Sequence, residues 1–247
     1  MIKVAVVGAK GRMGTSVSQA VQNAPDMELV AQLDMGDEIN AETLNGADVA
    51  VEFSIPSSTD ANVRALLDAG VHVVVGTTGW TEERLASVDE IAKTAGRGLL
   101  IAPNYSLSAV LAMAFAEKAA ALFESVEVIE LHHPDKVDAP SGTATTTATR
   151  IGEVRRVAGV GASPDKTETD PLGTRGGVIE DIHVHAVRLR GLYAHEEILF
   201  GNPGEQLTIR QDSFDRVSFM PGVLLGVRKV VNTTGLTFGL ENFLDLD

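Results

Sequence analysis

A doubly wound α/β domain followed by a second, α+β domain is the fold class that the sequence predicts, and three observations predict it. Through the first hundred residues, short β-rich runs alternate with stretches of helical spacing, the signature of βαβ units feeding a parallel sheet. A cluster of glycines stands between the first apolar run and the first helical stretch. After Pro103 the alternation gives way to a long Ala-rich helical pattern and then to segments of alternating polarity.

Taken in order, strands are expected near 2–7, 28–33, 48–53, 71–75 and 98–101, with helices over 12–23, 57–69 and 81–95. Right-handed crossovers set those helices on the faces of the sheet. Beyond Pro103 the pattern gives a helix over about 107–123, a strand over 126–132 and a helix over about 143–157. Residues 159–177 contain Gly159, Gly161, Pro164, Pro171, Gly173, Gly176 and Gly177, and read as a long surface loop with freedom to move. Alternation at 181–190, 195–200 and 206–211 predicts antiparallel strands, and a helical pattern follows over about 216–232. The last fifteen residues carry no decisive pattern.

Composition narrows the function classes. The chain has 247 residues with 34 acidic against 20 basic side chains, a formal net charge of -14, which excludes a generic basic nucleic-acid binder. There are no cysteines, so a disulfide framework, a thiol nucleophile and zinc sites with sulfur ligands are all excluded. Met1-Ile2-Lys3 runs straight into an apolar strand without a secretion signal. The most apolar helical stretch, Ala109 to Phe123, is broken by Glu117 and Lys118 and is too short to span a bilayer. A soluble cytoplasmic protein with no membrane partner is expected.

The segment Val4-Ala5-Val6-Val7-Gly8-Ala9-Lys10-Gly11-Arg12-Met13-Gly14 sets its glycines where a dinucleotide-binding fold needs them. Without Cβ atoms the backbone can turn sharply and approach a pyrophosphate, whose charge meets helix amides and the helix dipole. The spacing Gly-x-x-Gly-x-x-Gly departs from the commoner Gly-x-Gly-x-x-Gly, so on its own it also fits a tight strand-to-helix turn that binds nothing. Asp34, twenty residues beyond Gly14 at the end of the second strand, strengthens the nucleotide reading, since a carboxylate there can accept from both ribose hydroxyls of an adenosine. Its bland alternative is a surface turn residue. The strand ends that run into Gly76-Thr77-Thr78-Gly79 and Ala102-Pro103-Asn104-Tyr105 point the same way, because ligands of open α/β sheets bind beyond the carboxyl ends of strands.

The densest chemistry lies in Glu130-Leu131-His132-His133-Pro134-Asp135-Lys136-Val137-Asp138-Ala139-Pro140-Ser141-Gly142-Thr143. Two histidines and a lysine leave a strand and enter a proline-bounded loop that ends at a helix start. Ser141, Gly142 and Thr143 offer amides and hydroxyls there, suited to a carboxylate, although a simple capped helix explains them equally well. Three titratable donors within five residues tilt the balance toward an anionic substrate, with histidine suited to proton transfer and lysine to a fixed charge. A metal site through His183 and His185, which share a strand face, lacks any ligand-spacing motif, so no metal is expected. His72 and His195 are isolated and read as structural.

At this point the residues resemble a known family, the 4-hydroxy-tetrahydrodipicolinate reductases, also called dihydrodipicolinate reductases, of bacterial lysine and diaminopimelate biosynthesis. The Gly8-to-Gly14 turn, the Gly76-Thr77-Thr78-Gly79 turn, Ala102-Pro103-Asn104 and the stretch Glu130 to Ala144 are similar to that family's motifs, in the same order and over essentially the full chain. The resemblance implies that His132 is the general acid/base, Lys136 a proton donor, and His133, Gly142 and Thr143 substrate contacts. It implies cofactor contacts from Gly8, Ala9, Lys10, Gly11, Arg12, Met13, Asp34, Gly76, Thr77, Thr78, Ala102, Pro103, Asn104 and Tyr105. It further implies a Rossmann-type dinucleotide-binding domain from 1–104 and 216–247, with a substrate-binding and oligomerisation domain from 105–215 inserted, closure of the two before hydride transfer, and a homotetramer. The ligands implied are NADH or NADPH and a small cyclic diacid.

Cofactor choice is balanced. Asp34 favours NADH, because its carboxylate repels a 2′-phosphate, while Lys10 and Arg12 can neutralise that phosphate. Use of both is expected, with NADH at least as good as NADPH. Two alternatives stay open: another two-domain nicotinamide oxidoreductase of a small acid, since a fold does not fix a substrate, and a nucleotide-sensing protein without turnover.

Overall fold

The structure, a computed structural model, describes residues 1–244 and residue 246. The chain divides into two compact units: residues 1–107 with the chain from Arg216 onward, and Ser108–Asp215. Among the described residues no helix is long and apolar enough to cross a membrane.

The first unit begins with β1 (Ile2–Val7), α1 (Arg12–Asn23), β2 (Met27–Leu33), β3 (Val49–Glu52), α2 (Thr59–Asp68), β4 (His72–Val75), α3 (Glu82–Ala95) and β5 (Gly98–Ile101). Strands β3 and β5 are buried along their whole length, as expected of parallel strands covered on both faces by helices. Apart from the carboxylate of Glu52 that ends the first, their sequences, Val-Ala-Val-Glu and Gly-Leu-Leu-Ile, are accordingly runs of small and branched apolar residues rather than alternations. Helix α3 starts where the Thr81 hydroxyl accepts from the Arg84 amide at 3.3 Å, and it stops at Gly96 with φ +63°, a conformation that glycine adopts without a Cβ penalty.

The second unit takes most of α4 (Leu107–Ala120), then β6 (Ser125–His132), α5 (Gly142–Val157), β7 (Gly177–Ile179), β8 (Ile182–Arg188), β9 (Ala194–Asn202) and β10 (Glu205–Ser213). Its five-stranded sheet runs β10-β9-β6-β8-β7. Ala116 and Ala120 of α4, Ala148 and Ile151 of α5, and Val128, Ile182, Ile198 and Phe200 of the sheet make one buried cluster. The chain then returns to the first unit through a 3-10 turn (Arg216–Phe219), α6 (Met220–Val230) and β11 (Gly235–Phe238). With β11 beside β5, the first unit's sheet has six strands in the order β11-β5-β4-β3-β1-β2, all parallel.

Several details differ from expectation for physical reasons. β8 pairs in parallel with β6 rather than antiparallel, because α5 carries the chain across between them as in a βαβ unit. The expected 216–232 helix is divided: Pro221, without an amide hydrogen, stands in the first turn of α6, where helices tolerate it. β7 and β11 each hold only three or four residues, too few for a readable period. The 159–176 loop is tied at several points. The buried Arg155 gives hydrogen bonds to the carbonyls of Ala120, Phe123, Glu124 and Gly161 at 2.7–3.2 Å, the Ser163 hydroxyl accepts from the Val126 amide at 3.0 Å, and Arg175 pairs with Asp165 at 2.9 Å and with Glu127.

Candidate active site

The glycine turn lies at the carboxyl end of β1, which has β2 on one side and β3 on the other. Strand order reverses there, the place where open α/β sheets bind ligands. Gly8 has φ +80°. A Cβ on it would collide with the Phe53 carbonyl, and one on Gly14 would collide with the Gly8 carbonyl oxygen. The turn is therefore packed backbone against backbone at the start of α1. That helix begins at Gly11 without a side-chain cap, so its first amides depend on other acceptors. Lys10 and Arg12 are exposed, Ala9 is buried and Met13 is half-buried.

Asp34 reaches back to this turn. One carboxylate oxygen accepts from the Lys10 amide at 2.6 Å and the other from the Met35 amide at 2.8 Å. The Met35 and then the Lys10 amide hold its pKa below the ordinary carboxylate value, so it stands as a fixed negative charge beside the glycines. Gly76, the residue after β4, lies directly against the Phe53 ring, leaving no room for a Cβ. Thr77 is buried, and its hydroxyl finds no hydrogen-bond partner. Thr78 is exposed, Ala102 buried, Pro103 exposed and Asn104 half-buried. Tyr105 is buried with its hydroxyl donating to the Val75 carbonyl at 2.8 Å and its ring 5.8 Å from that of Phe53. That hydroxyl is committed inward, so Tyr105 supports the wall rather than offering it a polar group.

These features fit a nucleotide cofactor: a backbone cradle that any Cβ would fill, uncapped helix amides, a poised carboxylate and an orphaned buried hydroxyl at Thr77. Phe53 and Ser54, at the end of β3 beside the cradle, belong to the same surface but escaped the sequence reading. Ser54 is held by the buried Glu52, which also accepts from Thr59 at 2.8 Å and Asn62 at 3.2 Å. The only sequence signal for them was their position after a third apolar strand.

In the second unit the charged cluster gathers around Glu130, which is fully buried on β6. Residues 130 and 132 lie on the same face of this strand, and the His132 Nδ1 is 2.6 Å from Glu130 Oε2. Arg188, the register partner of His132 on β8, donates two hydrogen bonds of 2.8 Å to the two Glu130 oxygens and a third to the Asp138 carbonyl. The Ser141 amide adds a bond of 3.1 Å to Oε1. Burial raises the Glu130 pKa, but the donors Arg188 and His132 outweigh it and leave the carboxyl below its ordinary value. Burial also lowers the His132 pKa, and Glu130 opposes that only in part.

Lys136 pairs with Asp138 at 2.7 Å, and His133 faces the Tyr193 ring with centroids 6.2 Å apart. The Ser141 hydroxyl caps α5 by accepting from the Ala144 amide at 3.1 Å. Of the residues expected to seat a carboxylate, Ser141 is therefore spent on the protein itself, whereas Gly142 is exposed and a Cβ on it would meet nothing within 4 Å. Thr143 is half-buried in the first turn of the same helix. Directly opposite Glu130 in the β6–β9 register stands Glu196, buried, accepting from Thr147 at 2.8 Å, with its second oxygen unpartnered. Burial pushes its pKa up to about 7, with the charge of Glu130 adding to the effect. Arg188 and Glu196 were missed in the sequence because strand pairings over such separations leave no local pattern.

The remaining histidines are locked. His72 Nδ1 accepts from the Gly98 amide at 2.8 Å, and His195 accepts from the Tyr193 amide at 3.1 Å while its Nδ1 is 2.6 Å from Asp212. His183 bonds to the Arg175 carbonyl and His185 to Glu127, each at 2.7 Å. Among the described residues no group of three or more His, Asp or Glu is arranged to hold a metal ion.

Comparison with known proteins accounts for both halves. Residues 2–105 match the family described as dihydrodipicolinate reductase, N-terminus, and residues 108–244 its C-terminus. A 4-hydroxy-tetrahydrodipicolinate reductase of Bifidobacterium longum is 61% identical over 100% of both chains, and that of Beutenbergia cavernae is 59% identical over 99% of both. A dipicolinate-bound dihydrodipicolinate reductase from Paenisporosarcina sp. TG-14 superposes with a TM-score of 0.90 at 40% identity, covering 99% of this chain and 100% of the other. The chain belongs to the dihydrodipicolinate reductase family.

Proposed function

We propose that this protein reduces 4-hydroxy-tetrahydrodipicolinate, by way of dihydrodipicolinate, to tetrahydrodipicolinate with NADH or NADPH. The observation that carries the proposal is the cluster on β6 and α5: a histidine held on a buried carboxylate, beside a lysine and an open helix start. A planar diacid finds there the cations and amides that its carboxylates require. The reductant is assigned to the glycine cradle, Asp34 and the Gly76–Thr78 turn of the first unit. When bound, a reduced nicotinamide supplies hydride to an electron-poor carbon of the cyclic imine.

The chain's own residues do the rest. His132 gives its proton to the neighbouring carbon as negative charge develops there, and Lys136 with His133 offsets that charge. Gly142 and Thr143 orient one carboxylate at the start of α5. The carboxylate of Asp34 accepts from the adenosine ribose, and Lys10 and Arg12 favour a 2′-phosphate when one is present. On the family resemblance we further assign a cytoplasmic homotetramer.

Oxidation of NADH and of NADPH by the purified protein, with freshly generated 4-hydroxy-tetrahydrodipicolinate, tests the reading. Turnover is expected with both, and absence of turnover with either cofactor overturns it. Repeating the measurement at two salt concentrations tests the cofactor assignment. The kcat/KM for NADPH should fall more steeply with salt than that for NADH, since screening weakens exposed charge contacts. A strong NADPH preference that persists at high salt would remove Asp34 from the ribose site.

A further inference from the structure

We propose that Glu130 is the positioning residue of this site: it fixes the tautomer of His132, so that Nε2 alone exchanges a proton, and it ties that ring to the start of α5. The inference rests on the reductase reading for its kinetic consequence but not for its structural one.

Of two facing carboxyls in this site, one is favoured as the ionised partner. Glu130 and Glu196 stand opposite one another on β6 and β9, and two like charges at such a separation are not both favoured in a buried site. Glu130 has the donors: two bonds from Arg188, one from the Ser141 amide and the close contact with His132. Glu196 has one, from Thr147. The negative charge therefore resides on Glu130, and Glu196, its pKa pushed up to about 7 by burial and by the charge of Glu130, is the one of the two that holds its proton more tightly.

An ionised carboxylate only accepts hydrogen bonds. The His132 nitrogen 2.6 Å from it must then be protonated, so Nδ1 bears hydrogen in both charge states of the ring. Nε2 is left as the atom that gains and loses the proton. The groups that face this ring set its basicity between them: Glu130 raises it, while burial, Lys136 from the loop and Arg188 from β8 lower it. The same carboxylate also binds the Ser141 amide, and the Ser141 hydroxyl caps α5. A single side chain thereby sets the proton donor and the helix start in register, which holds reacting groups in a fixed geometry.

The test uses the full chain with 15N-labelled histidine, the His132 signal being assigned by its absence in His132→Gln. In slightly alkaline solution the neutral ring of the wild type should carry hydrogen on Nδ1 and show a bare Nε2. In Glu130→Gln, whose amide can donate to Nδ1, the Nε2–H form should grow. With substrate, Glu130→Gln should lower kcat by roughly tenfold or more with KM changed by less than about threefold, the pattern of a lost transition-state contribution. A general acid must be protonated to act, and removal of the carboxylate lowers its pKa, so the alkaline fall of kcat/KM should move to lower pH. A wild-type ring with hydrogen on Nε2 and a bare Nδ1 overturns the proposal, whether or not the variant folds. So does a folded Glu130→Gln with unchanged tautomer and pH profile. A wild type that shows the expected tautomer but no turnover overturns the reductase reading alone.

Discussion

The glycine turn of the first unit and the charged cluster of the second do opposite things with side chains. The turn works by leaving them out: Gly8, Gly14 and Gly76 each stand where a Cβ would strike backbone or the Phe53 ring. The cluster works by holding them: Glu130 binds three groups at once, and Gly142 beside it has open space. A site made of backbone is tied to its fold and should fail by losing shape. A site made of held charges should fail by losing chemistry while the fold survives.

The largest expected effect breaks the second site alone. His132→Gln should lower kcat by roughly a hundredfold or more, the range for a positioned acid or base, with an unchanged melting temperature. Near-normal kcat would show that the proton comes from elsewhere. Next is Glu196, where held charge has a cost. A carboxyl whose folded pKa stands at about 7 against 4.5 binds its proton more tightly in the native state. Its contribution is full below the unfolded value and is lost as pH rises through the folded one. Glu196→Gln retains an acceptor for Thr147, so its stability should exceed that of the wild type at about pH 8 by up to about 3 kcal/mol, and by much less at about pH 5. Denaturant titrations at both pH values check this, and equal differences would refute a buried titration.

In the first unit the expected loss is of shape. Gly14→Ala should cost about 1–3 kcal/mol of stability and weaken NADH binding at the same time, as read by melting and by cofactor titration. Loss of binding with full stability would blur the distinction between the two sites. The smallest effect belongs to Gly142→Val, where the fold has room. Its melting temperature should stay within a degree or two of the wild type, as for surface changes generally. Affinity for pyridine-2,6-dicarboxylate in the presence of NADH should fall by roughly tenfold because the helix start is obstructed. Unaltered affinity would move the carboxylate seat elsewhere.

Legibility in the sequence follows the same division. The parallel sheet could be read from its buried runs because both of its faces are covered, and the glycines could be read because their spacing between strand and helix is local. Glu130 and His132 share a strand face at a separation of two residues, so that pairing too was within reach of a period argument. Arg188 and Glu196 were not, since they meet Glu130 only through the register of β8 and β9. The same blindness hid the parallel sense of β8 and the existence of β11, whose Gly-Leu-Thr-Phe has no period to read. What escaped depends on which segments meet, and no single segment states it.

The return of the chain to complete the first sheet sets an order of events during synthesis. Residues 108–215 form a contiguous unit and hold all their strands as soon as that segment has left the ribosome. The first unit, although made earlier, must wait for residues 235–238 before β5 gains its outer neighbour. Until then β5 presents an apolar, unpaired edge of the kind that recruits other chains. The later-made unit is therefore the one free to fold first, and the nascent chain is most exposed to aggregation while the first unit waits for its last strand. Closing that long connection costs little more entropy than closing a short one, so the delay is one of time rather than of stability.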